Sequence, residues 1–371
     1  MKQQSRHFRK LALSLATLFL LVGIASPSIL VHAQDGGTTT LPISHRLDIN
    51  QIHHEYQGWN NCGPTTLTMS LSYFGYNSNQ QPAANYLKPH REDKNVSPWE
   101  LVQYTNEEVS QTNNVNALVR IGGNLQLLKS LLAADFPVIV EKGFEPEGED
   151  WMGHYLFLIG YDDTQAAFLT YDSYLGHGNF QGLHESYEHM ETYWWHFSNT
   201  FIVLYAPERE AELIEILGDL ADPELAFQQV AMEGQRRVQE DETDAWSWFN
   251  IGDALTQLGQ YDQAAAYFRI AFERHMPWRT LWYRHTPLEA YYQSGNFQTV
   301  LELVNANLLN TPYVEEWYYY RGLVFASQGR IEDARAQMTQ ALVYNSRFEP
   351  AHETLTALDD GTFIPVTQVA E

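Results

Sequence analysis

The chain of 371 residues contains a single cysteine, Cys62. One thiol excludes a disulfide within the chain and a zinc site built from several thiolates. Basic residues are also scarce, because 22 lysines and arginines face 46 acidic residues, for a formal net charge of −24. Binding to nucleic acid or to anionic lipid depends on clustered lysine and arginine, so this balance disfavours both. No sequence after position 33 approaches the roughly 18 unbroken apolar residues that span a membrane.

The N-terminal segment is typical of a secretory signal peptide. Basic residues precede an apolar run from Leu11 to about Ile24, and the small-residue pattern that follows predicts cleavage after Ala33. Removal of its four basic residues leaves 18 bases and 46 acids, a net charge of −28. We therefore expect a secreted, extracellular protein with no stable membrane insertion after cleavage. The alternative is an uncleaved signal anchor that tethers the chain to a membrane.

Helical and strand patterns are mixed between residues 46 and 207. The patterns predict helices at 62–73 and 125–134, and strands at 137–140, 154–161, 167–171 and 201–205. The polar segment 162–165 has the length of a hairpin turn and joins two of the strands. Helices followed by antiparallel strands are typical of an α+β domain.

A repeat emerges after residue 207, where strand patterns vanish. Gly259, Gly295 and Gly329 recur at intervals of 36 and 34 residues, and each is followed two positions later by an apolar residue. This pattern resembles about three tetratricopeptide repeats, an all-α solenoid. Pro287 stands where these repeats have a small residue, so the middle repeat is degenerate. The alternative is a helical bundle without repeat architecture.

Composition and periodicity together predict six segments. They are a signal peptide (1–33), a linker (34–45), an α+β domain (46–207), a capping helix pair (208–244), the repeats (245–358) and a tail (359–371).

The one cysteine lies where a helix is predicted to begin. Free backbone N–H groups and the helix dipole favour a thiolate there, which lowers the pKa from the ordinary value of about 8.5. Gly63 permits close approach of a substrate backbone, and Pro64 needs no N–H partner in a first helical turn. These neighbours favour a nucleophile, whereas the alternative is a buried structural cysteine.

A nucleophilic cysteine needs a base, usually a histidine that a carboxylate or amide orients. His154 begins an apolar predicted strand, and Asp172 ends the next one. The hairpin at 162–165 brings the end of the second strand beside the start of the first, so we expect the two side chains to lie close together.

These motifs resemble the papain-like cysteine peptidases that process double-glycine leaders of bacteriocins, and most closely their stand-alone peptidase-like branch. The resemblance rests on Gln57, on the Asn-Cys-Gly-Pro motif at Cys62, on Gly-His-Tyr at His154 and on Tyr-Asp at Asp172. It covers roughly residues 48–207 and implies a papain-like fold, with a helix packed on an antiparallel sheet. It also implies that Cys62 is the nucleophile, His154 the general base and Asp172 the orienting residue.

The resemblance further assigns the oxyanion hole to the side chain of Gln57 and the backbone N–H of Cys62. Gln57 lies five residues before the cysteine, where the processing enzymes usually have six. Asn60 or Asn61 therefore remains an alternative donor.

The function we expect is hydrolysis of a peptide bond by a secreted cysteine peptidase, with the repeats binding a substrate or a partner protein. No cofactor and no metal are expected. One alternative is an extracellular adaptor without catalysis, and another is an acyltransferase that uses the same thiol. The net charge favours a neutral or basic protein partner over nucleic acid.

Overall fold

The computed structural model describes residues 40–90, 92 and 95–369. The predicted signal peptide and the first part of the predicted linker, 34–39, lie outside the described residues. Residues Leu41–Glu371 form one compact unit. We call 41–221 its N-terminal half and 222–369 its C-terminal half. Within the described part of the chain, no helix combines the length and the apolar character that crossing a membrane requires.

An antiparallel sheet forms the centre of the N-terminal half. Its strands are β1 (Ser44–Arg46), β2 (Asn116–Arg120), β3 (Val138–Phe144), β4 (Met152–Asp162), β5 (Ala167–Tyr171), β6 (Leu183–Ser186) and β7 (Phe201–Tyr205). They are ordered β2-β7-β3-β4-β5-β6, and β1 pairs with the end of β4. The predicted strands at 154–161, 167–171 and 201–205 are present as β4, β5 and β7. Part of the predicted linker belongs to β1.

Six helices of the N-terminal half surround this sheet within the described residues. They are α1 (Cys62–Ser72), α2 (Gln80–Leu87), α3 (Pro98–Tyr104), α4 (Leu125–Ala133), α5 (Tyr187–Trp194) and α6 (Glu210–Leu217). Helix α1 packs on β3 and β4 and is buried from its second residue to its last. Its hydroxyl side chains avoid the cost of burial by donating to nearby carbonyl groups, as Thr68 does to Pro64 at 2.8 Å.

Paired helices form the C-terminal half. They are α7 (Pro223–Glu240), α8 (Ala245–Gln257), α9 (Tyr261–Glu273), α10 (Thr286–Gln293), α11 (Phe297–Leu308), α12 (Glu315–Ser327), α13 (Ile331–Tyr344) and α14 (Glu349–Asp359). The glycines of the repeat lie between the two helices of each pair, with φ of +71°, +74° and +76°. This left-handed backbone explains their recurrence, because glycine adopts it without strain. The predicted α+β domain followed by an all-α repeat region is confirmed.

The helix pair expected at 208–244 is divided between the two halves. Helix α7 packs against α8 and covers the first repeat, whereas α6 packs against α4. Leu213 and Leu217 of α6 accordingly belong to the apolar core of the N-terminal half. The predicted tail is also packed, because Phe363 and Val366 lie against the core of the repeats.

The degenerate middle repeat contributes to the contact between the halves. Pro287 lies in the first turn of α10, which has only eight residues, whereas α8 and α12 have 13 each. The chain before α10 is therefore free to run toward the N-terminal half. There the ring of Tyr283 lies edge-on to Trp151, with centroids 5.8 Å apart, and Trp246 of α8 stacks on His196 at 4.3 Å.

Arg284, the next residue of this segment, joins the halves by polar contacts. Its guanidinium donates to the carbonyl of His196 at 2.8 Å and to the hydroxyl of Ser198 at 3.0 Å. It also forms a buried ion pair with Asp253 of α8, at 2.6 Å. A charge buried in this way is stable only while its partner is present.

We expect Arg284→Ala to lower the free energy of unfolding by about 3 kcal/mol, because the substitution leaves Asp253 buried without its cation. Urea denaturation measures the change. Arg269→Ala is the matched control, since it removes an exposed ion pair with Glu273 within α9 and should have little effect. Equal destabilisation by both substitutions would contradict this account of the contact between the halves.

Candidate active site

Cys62 is the first residue of α1, and its side chain is half-buried. Hydrogen-bonding interactions with the backbone N–H groups of Gly63 and Tyr155 and with the side chain of His154 lower the pKa of the Cys62 thiol. Gly63 contributes a free N–H of the first helical turn, and Tyr155 contributes one from β4. The start of α1 thus holds the thiol directly against the strand that carries His154.

His154 and Asp172 form a buried pair. The Nε2 atom of His154 lies 3.0 Å from the Oδ1 atom of Asp172, and both residues are at most 4% exposed. The same carboxylate oxygen accepts from the backbone N–H groups of Tyr174 at 2.6 Å and Leu175 at 3.0 Å. Phe144 stacks on the imidazole at 4.6 Å. Because Nε2 is engaged by Asp172, Nδ1 is the nitrogen left for the thiol.

A bulge in the β4–β5 hairpin places Asp172 on the same face as His154. The register skips Ile159, so that Phe157 pairs with Tyr171. Extended by one position, this register sets Asp172 opposite Leu156, which shares a face with His154 because strand side chains alternate. Without the extra residue Asp172 would oppose Phe157 and point to the other face.

These contacts favour a thiolate beside an imidazolium. Burial raises the pKa of the Cys62 thiol, but the hydrogen bond and positive charge of His154 and the two backbone N–H groups lower it below its ordinary value. Burial opposes a charged imidazole, yet the charge and hydrogen bond of Asp172 raise the pKa of His154 to about 10. Both pKa shifts favour the proton on His154 and the sulfur as a nucleophile.

Gln57 forms two hydrogen bonds with Ser173, the residue that follows Asp172. Its backbone N–H donates to the carbonyl of Ser173, and its Oε1 atom accepts from the Ser173 hydroxyl, both at 2.8 Å. The hydroxyl thus fixes which end of the amide is the acceptor and leaves the Nε2 hydrogens as donors. His54 reinforces this connection, because its ring lies 2.9 Å from the carbonyl oxygen of Asp172.

Two side chains, one at the start of α2 and one just after its end, organise the loop before Cys62. Gln80 accepts through Oε1 from the backbone N–H of Gly58 at 2.7 Å and from the Asn61 amide at 2.9 Å. Lys88 donates to the carbonyl of Asn60 at 2.8 Å and to Oδ1 of Asn61 at 3.0 Å. Both ends of the Asn61 amide are therefore engaged, which favours Gln57 over Asn61 as an oxyanion donor.

A buried carboxyl group lies on β3, next to the strand that carries His154. Glu141 pairs with Tyr155 in the β3–β4 register and is 4% exposed. Burial raises the pKa of Glu141 to about 8, against the lowering effect of Arg284. Across the described residues, no group of three histidine, cysteine or acidic side chains is arranged to hold a metal ion.

Residues 48–200 match the Peptidase_C39 like family, and residues 247–274 match the tetratricopeptide repeat. The chain joins a C39-like peptidase domain to tetratricopeptide repeats. Among solved structures, a C39-like peptidase from Bacillus anthracis shares 17% identity. That alignment covers 43% of this chain and 97% of the other, with a TM-score of 0.35. A comparison with curated proteins gave no match.

The structure brings Cys62, His154 and Asp172 of the C39-like domain together and sets Gln57 beside Ser173. Sequence reasoning assigned no role to Ser173, although it adjoins Asp172. It also missed Gln80, for which no sequence signal exists, because a glutamine at a helix start resembles any surface residue.

The chain has one thiol, so alkylation by iodoacetamide measures Cys62 alone. We expect the wild-type rate to rise through a pKa well below 8.5, because His154 stabilises the thiolate. In His154→Ala only burial and the backbone N–H groups remain, so the rise should shift to higher pH. Rates are measured between about pH 5 and 9.

His45→Ala is the matched control for this experiment. His45 also lies 2.9 Å from an aspartate, Asp135, but that pair is partly exposed and does not involve Cys62. Its pH profile should equal that of the wild type. Identical profiles for the wild type and His154→Ala would show that the imidazole does not act on the thiol.

Proposed function

We propose that this chain is a secreted cysteine peptidase that hydrolyses peptide bonds through Cys62, His154 and Asp172. One observation carries the proposal, namely that the His154 ring lies 3.0 Å from a buried carboxylate and also lowers the pKa of the Cys62 thiol. Structural histidines rarely need both partners, whereas a base for a nucleophilic cysteine does. Export rests on the sequence of the first 33 residues alone.

In the first step the thiolate of Cys62 attacks the carbonyl carbon of the peptide bond. The negative charge moves to the carbonyl oxygen, where the backbone N–H of Cys62 and the Nε2 group of Gln57 donate to it. As the intermediate collapses, His154 donates its proton to the departing amine. A thioester on Cys62 and a free amine result.

In the second step water replaces the amine. His154, now neutral, takes a proton from the water molecule as the oxygen attacks the thioester carbonyl. The carbon–sulfur bond breaks, a carboxylic acid leaves, and the thiolate and the imidazolium are restored. Asp172 keeps the imidazole in the orientation that both steps need, because it holds Nε2 and leaves Nδ1 toward the sulfur.

In this proposal the repeat region contributes to the structure of the active site. The ring of Tyr283 packs against Gly153, the residue before His154. A Cβ atom at position 153 would lie only 2.9 Å from the Tyr283 ring, so the glycine permits this approach. A substrate that reaches Cys62 therefore also meets the repeat region.

We expect the protein, incubated with a diverse peptide library, to generate new peptide termini that mass spectrometry detects. Cys62→Ala and His154→Ala should each lower the rate by about 1,000-fold or more, because nucleophile and base act as a unit. Gln57→Ala should lower kcat by about 100-fold, since one oxyanion donor is lost. His45→Ala should retain wild-type activity.

Added hydroxylamine distinguishes hydrolysis from acyl transfer. A peptidase releases carboxylic acids in the absence of the added amine, whereas an acyltransferase forms products only when the amine is present. Cleavage that persists in Cys62→Ala would contradict the proposal. Absence of any cleavage, with partners still captured by Cys62→Ala, would instead favour an adaptor.

A further inference from the structure

The contacts between the repeats and the C39-like domain include two that lie far apart along the chain. Tyr283 and Arg284 make the first contact, beside Gly153 and His196. The second lies near the last repeat, where the guanidinium of Arg347 stacks over the ring of Tyr86 at 4.5 Å. Between these contacts lies a cavity of about 980 Å³, lined by residues of both halves.

This cavity extends to residues that contact β4, the strand that carries His154. Glu141 lines it and pairs in register with Tyr155, the residue after His154. Tyr283 also lines it and lies against Gly153, the residue before His154. The cavity therefore lies next to the strand that carries His154.

Among the charged side chains of the lining, acidic ones are in the majority. Seven carboxyl groups face three arginines there, and no lysine is among the lining residues. Two of the arginines are already engaged, since Arg284 pairs with Asp253, one of the seven, and Arg120 donates to the carbonyl groups of Leu220 and Ala221. The lining therefore contains more carboxyl groups than positively charged side chains that could pair with them.

Glu289 shows this excess most clearly. It lies on α10 and lines the cavity, and no other described residue gives it a hydrogen bond or an ion pair at contact distance. Burial and the nearby charge of Asp253 both raise the pKa of Glu289. A cationic group entering the cavity would relieve both effects.

His285 supplies an unused hydrogen-bonding atom in the same wall. Its Nδ1 atom lies 3.2 Å from Glu316, and because a carboxylate only accepts, that nitrogen carries a hydrogen. The Nε2 atom has no partner, although the residue is only 8% exposed. In the neutral ring this atom is an acceptor, suited to the N–H of a bound cation. Buried polar atoms without partners are rare and call for a ligand.

Aromatic rings complete the lining. Eight aromatic side chains line the cavity, among them Trp99, Tyr292, Tyr319 and Tyr320. Rings of this kind attract ammonium and guanidinium groups through their faces. Carboxylates, an acceptor nitrogen and aromatic faces are together the groups that recognise lysine and arginine.

We propose that the cavity between the repeats and the C39-like domain binds lysine or arginine side chains of the peptide presented to Cys62. This inference rests on the proposed peptidase function and names its substrate class, a basic and flexible peptide segment. A folded protein does not fit in a space of about 980 Å³ that residues of both halves line. The peptide must enter as an extended or locally unfolded chain.

The test measures binding in the Cys62→Ala background, so that turnover does not interfere. The probes are three fluorescein-labelled octapeptides in which alanine alternates with lysine, glutamine or glutamate. We expect the lysine peptide to bind at least tenfold more tightly than the glutamine peptide, and the glutamate peptide to bind most weakly. Glu289→Gln should weaken binding of the lysine peptide about threefold or more and leave the glutamine peptide unchanged.

Glu302→Gln is the matched control, because it removes the same charge from an exposed position of α11 outside the cavity. It should leave all three affinities unchanged, which separates the cavity from the overall negative charge. Thermal unfolding verifies that each variant is folded. Equal binding of lysine and glutamine peptides, no binding of any probe, or equal effects of the two substitutions would overturn the inference.

The outcome is separable from that of the proposed function. Hydrolysis of library peptides by the wild type without a preference for basic residues would overturn this inference alone. Selective binding of the lysine peptide, without hydrolysis of any peptide by the wild type, would overturn the peptidase function and leave the cation site in place.

Discussion

The buried pair of His154 and Asp172 is the interaction on which the site depends. Burying an ion pair carries a desolvation cost that only well-placed hydrogen bonds offset. Two backbone N–H groups after the end of β5 provide them on the carboxylate. The imidazole is thereby held with one nitrogen toward Cys62, and the thiol at the start of α1 becomes a nucleophile. Removing the carboxylate would leave a thiol without an oriented base.

The C39-like domain is not self-contained, because the repeats contact it. Pro287 shortens the first helix of the middle repeat, and the chain released before it carries Tyr283 and Arg284 into contact with the C39-like domain. Pro287 weakens the repeat pattern in the sequence, and it is therefore also the residue that allows the repeats to contact the site. The two halves then share one acidic, aromatic cavity, in which the repeats supply most of the candidate contacts to a substrate.

Much of the architecture could be predicted because it follows local patterns. The helix at Cys62 has a clear start, the hairpin has a polar turn, and the repeat glycines occupy a left-handed conformation that few other residues tolerate. The proximity of His154 and Asp172 follows from that hairpin. The fold class needed no further information.

Other features depend on tertiary contacts that leave no local trace. The bulge at Ile159 decides which face Asp172 occupies, yet the residue resembles any other buried strand position. Gln80 and Lys88 hold the nucleophile loop across about 20 to 30 residues of sequence. Helix α6 has an ordinary amphipathic pattern that does not reveal which half it joins. The cavity is invisible in the sequence, because its carboxylates come from segments up to about 250 residues apart.

The central claim is that Cys62 forms a covalent thioester with its substrate. Intact-mass spectrometry after rapid acid quench, with a peptide that the protein cleaves, tests it directly. The account predicts a transient species heavier by the mass of the acyl product less one water, located on Cys62 and removed by hydroxylamine. Cleavage that proceeds through the first turnover with no adduct on Cys62 would contradict it.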